Sequence, residues 1–272
     1  MIMKSLFVLS EKAFCCYSRK MLITSKNNPL VKETASLKDK KGRKQFGMFL
    51  VEGRKMTEEC LACGMEVDKI FVCEGTEFFF PVAEEKIVTV SEDVMRHISD
   101  EKTPQGVVCR VRIPQRELCP PKGNCLFLDG ISDPGNMGAI LRTANAAGYE
   151  EIYLTRECTD PYSPKSVRAS MSGIFFTKLY FGDRKELISL MQNTGVKLVI
   201  ADMGGSNVFE FVPPKHFALV IGNEANGISD EVAALVSDRL YIPPYPQDSP
   251  GSESLNAAIA TAITVAEFRR RK

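Results

Sequence analysis

The sequence predicts an α/β protein: a mostly parallel sheet in the C-terminal half, preceded by a smaller α/β unit. Three observations carry this. From Cys125 onward, near-continuous apolar runs alternate with helical segments, the pattern of strands buried on both faces beneath crossover helices. Over residues 21–113, shorter strand and helix signals alternate in the same way. Between the two, Pro114 to Gly123 gathers Pro114, Pro120, Pro121 and several charges, the composition of a linker.

Taken in order, residues 1–20 read as a leader. Met1 to Leu9 is mildly apolar, but Glu11 and Lys12 end that run before it reaches signal-peptide length. Domain-like patterning starts at Met21, so Met21 is expected to be a working start. Pro29 to about Lys41 reads as one basic helix, and Met48 to Glu52 as a strand. Gly53 to Cys63 has helical apolar spacing and stops at Gly64, a residue that tolerates the left-handed conformation closing many helices. Val67–Cys73 and Ile87–Val90 are strands, Ser91 caps a helix to about Ile98, and Gly106–Ile113 alternates as a strand. After the linker at 114–123, the second domain (124–272) has expected strands at Cys125–Leu128, Glu151–Leu154, Leu198–Asp202, Phe217–Ile221 and Arg239–Ile242. Its expected helices are Met137–Ala147, Pro164–Ser172, Lys185–Asn193, Ser229–Val236 and Ser254–Arg270.

A net charge of +1, with 44% hydrophobic and 25% charged residues, places the chain among ordinary globular proteins. No apolar run reaches the roughly 20 residues of a membrane helix. Charge is informative locally. Ten Lys or Arg fall between Lys20 and Lys55 against Glu33, Asp39 and Glu52. Such a segment is either a solvated helix face or a surface for a phosphate backbone; on the second reading Lys26, Lys32, Lys38, Lys40, Lys41, Arg43 and Lys44 touch RNA. The nine cysteines, an odd number set mostly in apolar runs, read as core thiols in a reducing, cytoplasmic setting. Cys60 and Cys63 lack a second such pair, and His97 and His216 are isolated, so no metal site is expected.

In an open parallel sheet, ligands sit beyond the carboxyl ends of the strands. Three loops there are unusual. The first is Asp129-Gly130-Ile131-Ser132-Asp133-Pro134-Gly135-Asn136-Met137-Gly138, leading into a helix with Arg142. The second is Gly222-Asn223-Glu224-Ala225-Asn226-Gly227. The third runs from Ile242 to Ser254-Leu255-Asn256. Glycines at 130, 135 and 138 do not fit a dinucleotide fingerprint, and no phosphate-binding loop of the G-x-x-x-x-G-K type is present. Taken singly, Asn136 and Ser254 read as helix caps, Arg142 as a surface cation and Glu224 as a loop charge; together, at one sheet edge, they read as a site.

Those three segments resemble the signature motifs of the SpoU (TrmH-like) branch of the SPOUT RNA methyltransferases: Asn136-x-Gly138-x3-Arg142-x-Ala144, Gly222-Asn223-Glu224-x2-Gly227, and Ile242-Pro243 with Ser254-Leu255-Asn256. Ser25 to Lys32, Phe49 to Gly53 and Thr103 to Gly106 resemble the ribosomal-protein-like RNA-binding domain often fused to that family. The resemblance spans about Met21 to Lys272, with Pro244 to Gly251 as a small insertion. It implies a trefoil-knotted domain, a homodimer with its site near the subunit interface, and transfer of a methyl group from S-adenosylmethionine to a ribose 2′-hydroxyl of RNA. Arg142, Asn136, Glu224, Ser254 and Asn256 become the expected catalytic set; Met203, Gly222, Ile242 and Leu255 line the expected cofactor pocket. A guanidinium stays protonated, so charge stabilisation suits Arg142 better than proton abstraction. Asn136 holds that loop or the ribose, and Glu224 orients the arginine or accepts a proton. The fused domain favours ribosomal over transfer RNA. A non-catalytic RNA-binding relative has no use for Arg142 together with Asn256, and a base-nitrogen methyltransferase fits the Ser-Leu-Asn element poorly.

Overall fold

The computed structural model describes residues 22–77, 80–245 and 255–271. The expected leader, Ser254 and most of the expected insertion lie outside them.

The first unit is a four-stranded sheet of β1 (Met48–Glu52), β2 (Val67–Cys73), β3 (Ile87–Val90) and β4 (Val107–Arg112), in the order β1-β4-β2-β3. Strand β4 is antiparallel to β1 and β2, and β2 is parallel to β3. Helices α1 (Pro29–Ser36), α2 (Lys40–Phe46), α3 (Arg54–Ala62) and α4 (Glu92–Ile98) surround it. The expected basic helix is therefore two. The chain turns at Asp39, which is extended (φ −97°, ψ 146°), and Leu37 is fully buried just before it. Gly42 allows the fold-back, because a Cβ there would stand 2.1 Å from the Ser36 carbonyl oxygen. Burying Leu37 outweighs continuing a helix.

The second unit has β5 (Cys125–Asp129), β6 (Glu151–Thr155), β7 (Lys178–Gly182), β8 (Lys197–Asn207), β9 (Phe217–Gly222) and β10 (Asp238–Tyr241), all parallel, in the order β10-β8-β9-β5-β6-β7. Its helices are α5 (Pro134–Ala146), α6 (Pro164–Ser170), α7 (Gly173–Phe176), α8 (Arg184–Asn193), α9 (Asp230–Ala233) and α10 (Ala257–Arg270). Alternate strand residues face opposite sides. Leu126 and Leu128 join Ile140, Leu141 and Phe268 of α5 and α10. Cys125 and Phe127 join Leu187, Met191 and Val232 of α8 and α9. Helices thus cover both faces, as the apolar strands require.

Several elements depart from expectation; α9, for one, spans only Asp230–Ala233 of the expected Ser229–Val236. Strand β7 was not foreseen. The Pro164–Ser172 helix ends at Ser170, with a separate short α7 after it. Strand β8 runs on to Asn207, so Met203 is a strand residue rather than a loop residue. The segment 114–123 has no regular structure, yet it is docked: Leu118 and Cys119 pack against the second core, and the Cys119 carbonyl accepts from the Tyr153 hydroxyl at 2.8 Å.

Candidate active site

The site forms where β5, β8, β9 and β10 end, and the loops after β5 and β9 are fixed by side chains. Asp133 caps α5 by accepting from the Asn136 amide at 2.9 Å, so the helix starts at Pro134, earlier than Met137 as expected. Asp129, buried at the tip of β5, accepts from Arg184 Nε at 2.7 Å and from the Ser229 amide and hydroxyl at 2.9 and 2.7 Å. Asn223 Nδ2 donates to the Gly130 carbonyl at 2.7 Å, while its Oδ1 accepts from the amides of Ala225 and Asn226. These residues pin the first loop to the second. The sequence signalled them only as polar positions inside glycine loops.

A continuous hydrogen-bonded chain then joins all three motifs. Glu224 Oε2 accepts from the Ser132 amide at 2.9 Å and the Ser132 hydroxyl at 2.6 Å; Oε1 accepts from the Asp133 amide at 3.1 Å and Asn136 Nδ2 at 2.9 Å. Asn136 Oδ1 accepts from Asn256 Nδ2 at 2.8 Å, and Asn256 Oδ1 caps α10 through the amides of Ala258 and Ile259. Partial burial pushes the Glu224 carboxyl up. The hydrogen bonds from the Ser132 hydroxyl, the Asn136 amide and the Ser132 backbone outweigh it and hold the group at about 2. Each asparagine amide retains one hydrogen outside this chain.

Arg142 stands apart. It is exposed and has no hydrogen-bond or ion-pair partner among the described residues. It lies six residues beyond Asn136, about 9 Å further along α5 and turned well away from it. Within one subunit Glu224 makes no contact with Arg142; its four hydrogen bonds go to the first loop instead. What positions Arg142 is the helix packing. A Cβ at Gly138 would stand 2.4 Å from the Ser166 carbonyl oxygen, and one at Gly173 would stand 2.8 Å from Arg142 Cα. The two glycines seat α5 against α6 and α7.

Of the expected cofactor residues, Gly222 ends β9, Ile242 follows β10 and Leu255 precedes the Asn256 cap; Met203 lies in the backbone of β8, between those two strands in the sheet. Gly222 is crowded, since a Cβ there would meet the Gly227 backbone at 2.5 Å. Leu255 is 48% exposed.

The basic segment divides. Lys26, Lys32, Lys40, Lys41 and Lys44 are exposed. Lys38 Nζ turns back to the His97 carbonyl at 2.7 Å. Arg43 corrects the expectation: it is buried, pairs with Asp160 at 2.8 Å and donates to the carbonyls of Leu37 and Lys38. Burial and these three bonds turn the guanidinium toward the fold rather than toward solvent.

A family model described as the SpoU rRNA methylase family matches residues 123–266. The chain belongs to that family. A second model, an MRM3-like substrate-binding domain, matches residues 28–109. The chain is 33% identical to an uncharacterized tRNA/rRNA methyltransferase of Synechocystis sp., over 92% of this chain and 94% of that one. It is 29% identical to the 23S rRNA (guanosine(2553)-2′-O)-methyltransferase RlmP of Bacillus subtilis, over 91% and 98%. Among solved structures, an AdoMet-bound rRNA methyltransferase from Sinorhizobium meliloti aligns with a TM-score of 0.80 at 30% identity, covering 92% of this chain and 98% of that one.

Proposed function

We propose that this SpoU-family protein transfers a methyl group from S-adenosylmethionine to a ribose 2′-hydroxyl, with ribosomal RNA as substrate. The observation that supports it is the unbroken chain Glu224–Asn136–Asn256 across three loops at the strand ends, with an exposed, unpartnered Arg142 further along the same helix as Asn136. The edge of β8, β9 and β10 fits the cofactor: a glycine-tight turn at Gly222 brings backbone close, and Leu255 offers an apolar surface. There Met203, Gly222, Ile242 and Leu255 hold it. When bound, the cofactor supplies an electrophilic sulfonium methyl group.

The protein's own part is alignment and charge. Asn136 and Asn256, locked to each other, present their remaining amide hydrogens to the acceptor ribose or cofactor. Glu224 fixes the first loop. By the resemblance to the family motif, Ser254 fixes the acceptor ribose. Arg142 offers a planar fork of donors to the phosphate and the developing alkoxide. Exposed Lys26, Lys32, Lys40, Lys41 and Lys44 bind the RNA backbone. Residues 21–113 act as the RNA-binding domain and 124–272 as the catalytic, trefoil-knotted domain. The molecule works as a homodimer, supported by the separation of Arg142 from its own subunit's cluster. The reduced cysteines suit a cytoplasmic setting: seven are free among the described residues.

Transfer of labelled methyl to RNA tests this. Arg142→Ala is expected to lose roughly 10² to 10³ in turnover, with little change in calorimetric cofactor affinity, and Arg142→Lys to recover little of it. RNA with 2′-deoxyribose at the target is expected to bind and accept no methyl. Methylation of that substrate sinks the ribose assignment; a fully active Arg142→Ala sinks the role of that residue.

A further inference from the structure

Met171 is the one non-glycine residue with positive φ among the described residues, at φ 49° and ψ −128°. That region suits the glycine of a tight turn and strains any residue with a Cβ. Strain of this kind persists only where its surroundings enforce it, and here they do. On one side, Ser166, Ala169 and Ser170 press against Gly138 of α5; on the other, Gly173 presses against the Arg142 backbone. The buried Ser170 hydroxyl reaches the Val167 carbonyl at 2.8 Å and the Met171 carbonyl at 3.0 Å, bracing the turn. Yet packing does not reward the methionine itself. The residue is 42% exposed in the single subunit, where a glycine would relieve the strain and leave no cavity.

The position is adjacent to the reaction. Gly173 touches the Arg142 backbone, and Met171 lies two residues before it, so the two Cα atoms are within about 11 Å of each other. Arg142 is exposed and unpartnered beside this turn. We infer that Met171 is a substrate-contacting residue, its flexible thioether packing on the nucleobase of the acceptor nucleotide or of its neighbour while Arg142 engages the sugar-phosphate. Sulfur against an aromatic face is a favourable contact, and single-stranded RNA targets present splayed bases to such surfaces. The inference rests on the methyl-transfer reading above.

The test is Met171→Gly, with Met171→Ala beside it and full-length protein throughout. Met171→Gly removes strain and side chain together; Met171→Ala removes the side chain and keeps the strain. Both are expected to lower kcat/KM for RNA by about tenfold, with unchanged cofactor affinity and unchanged oligomeric state. The melting temperature of Met171→Gly is expected to equal or exceed that of the wild type. Met171→Leu is expected to recover most of the loss. Wild-type kcat/KM in Met171→Gly overturns the inference. So does a loss accompanied by a lower melting temperature, or by a changed oligomeric state, since the residue then serves the fold or a subunit contact. The wild-type enzyme and its 2′-deoxy substrate, run alongside, test the methyl-transfer reading separately.

Discussion

Glu224 shows how one side chain converts a flexible glycine loop into a rigid edge. It is exposed, yet four donors from Ser132, Asp133 and Asn136 converge on it and hold it at about 2, against an ordinary glutamate value of 4.5. Because its pKa is depressed in the folded state, its stabilisation is fully present above about 4.5 and is lost as pH falls towards 2. Solvent screening keeps the effect small for an exposed group. Melting curves between pH 5 and 3 are therefore expected to fall more steeply for the wild type than for Glu224→Gln. At neutral pH, Glu224→Gln places an amide N–H among donors, loosens the first loop, and is expected to weaken cofactor binding more than it lowers the melting temperature. Equal pH slopes in the two proteins dispose of this role. The sequence offered Glu224 as a site residue by motif, but its partners were beyond reach: residues separated by about ninety positions meet only once the sheet is assembled, as Glu224 and Asn136 do.

At the scale of elements, helix α5 is seated by an absence of side chain. Gly138 lies inside α5, where alanine would raise helix propensity by about 1 kcal/mol. Its Cβ would instead stand 2.4 Å from the Ser166 carbonyl oxygen and 2.5 Å from Ala169 Cβ. Backbone cannot swing aside as a side chain can, so overpacking of about 1–3 kcal/mol wins. Gly138→Ala is expected to lower stability in denaturant unfolding and to reduce turnover, because Arg142 rides on the same helix. A more stable, fully active Gly138→Ala contradicts this packing. Strands β1, β2 and β3 lie where the short apolar runs Met48–Glu52, Val67–Cys73 and Ile87–Val90 put them, because local apolarity and burial agree there. Strand β7 escaped because Gly173 to Gly182 is a largely apolar and aromatic stretch holding both α7 and the strand, and only the extended Thr177 divides them. The split between α1 and α2 escaped because burial of Leu37 and close approach at Gly42 are tertiary effects.

Across the whole molecule, the two units share a core and a set of ion pairs. Phe49 of β1 packs on Tyr162 at a ring separation of 5.0 Å. Arg168 of α6 pairs with Asp100 at 2.7 Å, and Arg43 of α2 with Asp160 at 2.8 Å. The first unit therefore rests on the segment that leads through α6 to the seat of Arg142. This gives the basic residues of α2 two distinct jobs that composition could not separate. Lys40, Lys41 and Lys44 are exposed and Arg43 is buried, although all four sit within five consecutive residues. Helical periodicity separates Arg43, on the face turned to Asp160, from Lys41 and Lys44, while Lys40 is exposed at the first position of the helix. Replacing Lys40, Lys41 and Lys44 with alanine is expected to leave folding and cofactor affinity unchanged and to reduce the salt dependence of RNA binding. Three lost phosphate contacts flatten the slope of log affinity against log salt by about 2 to 3. Arg43→Ala is expected to do the reverse. It strands Asp160 and the carbonyls of Leu37 and Lys38, lowers stability by about 3 kcal/mol, and leaves the salt slope of the folded fraction as it was. Fluorescence titrations of RNA at several salt concentrations, paired with denaturant unfolding, separate the two. An unchanged slope in the triple lysine variant returns α2 to a solvated helix face, and a flattened slope in Arg43→Ala shows that its guanidinium reaches RNA after all.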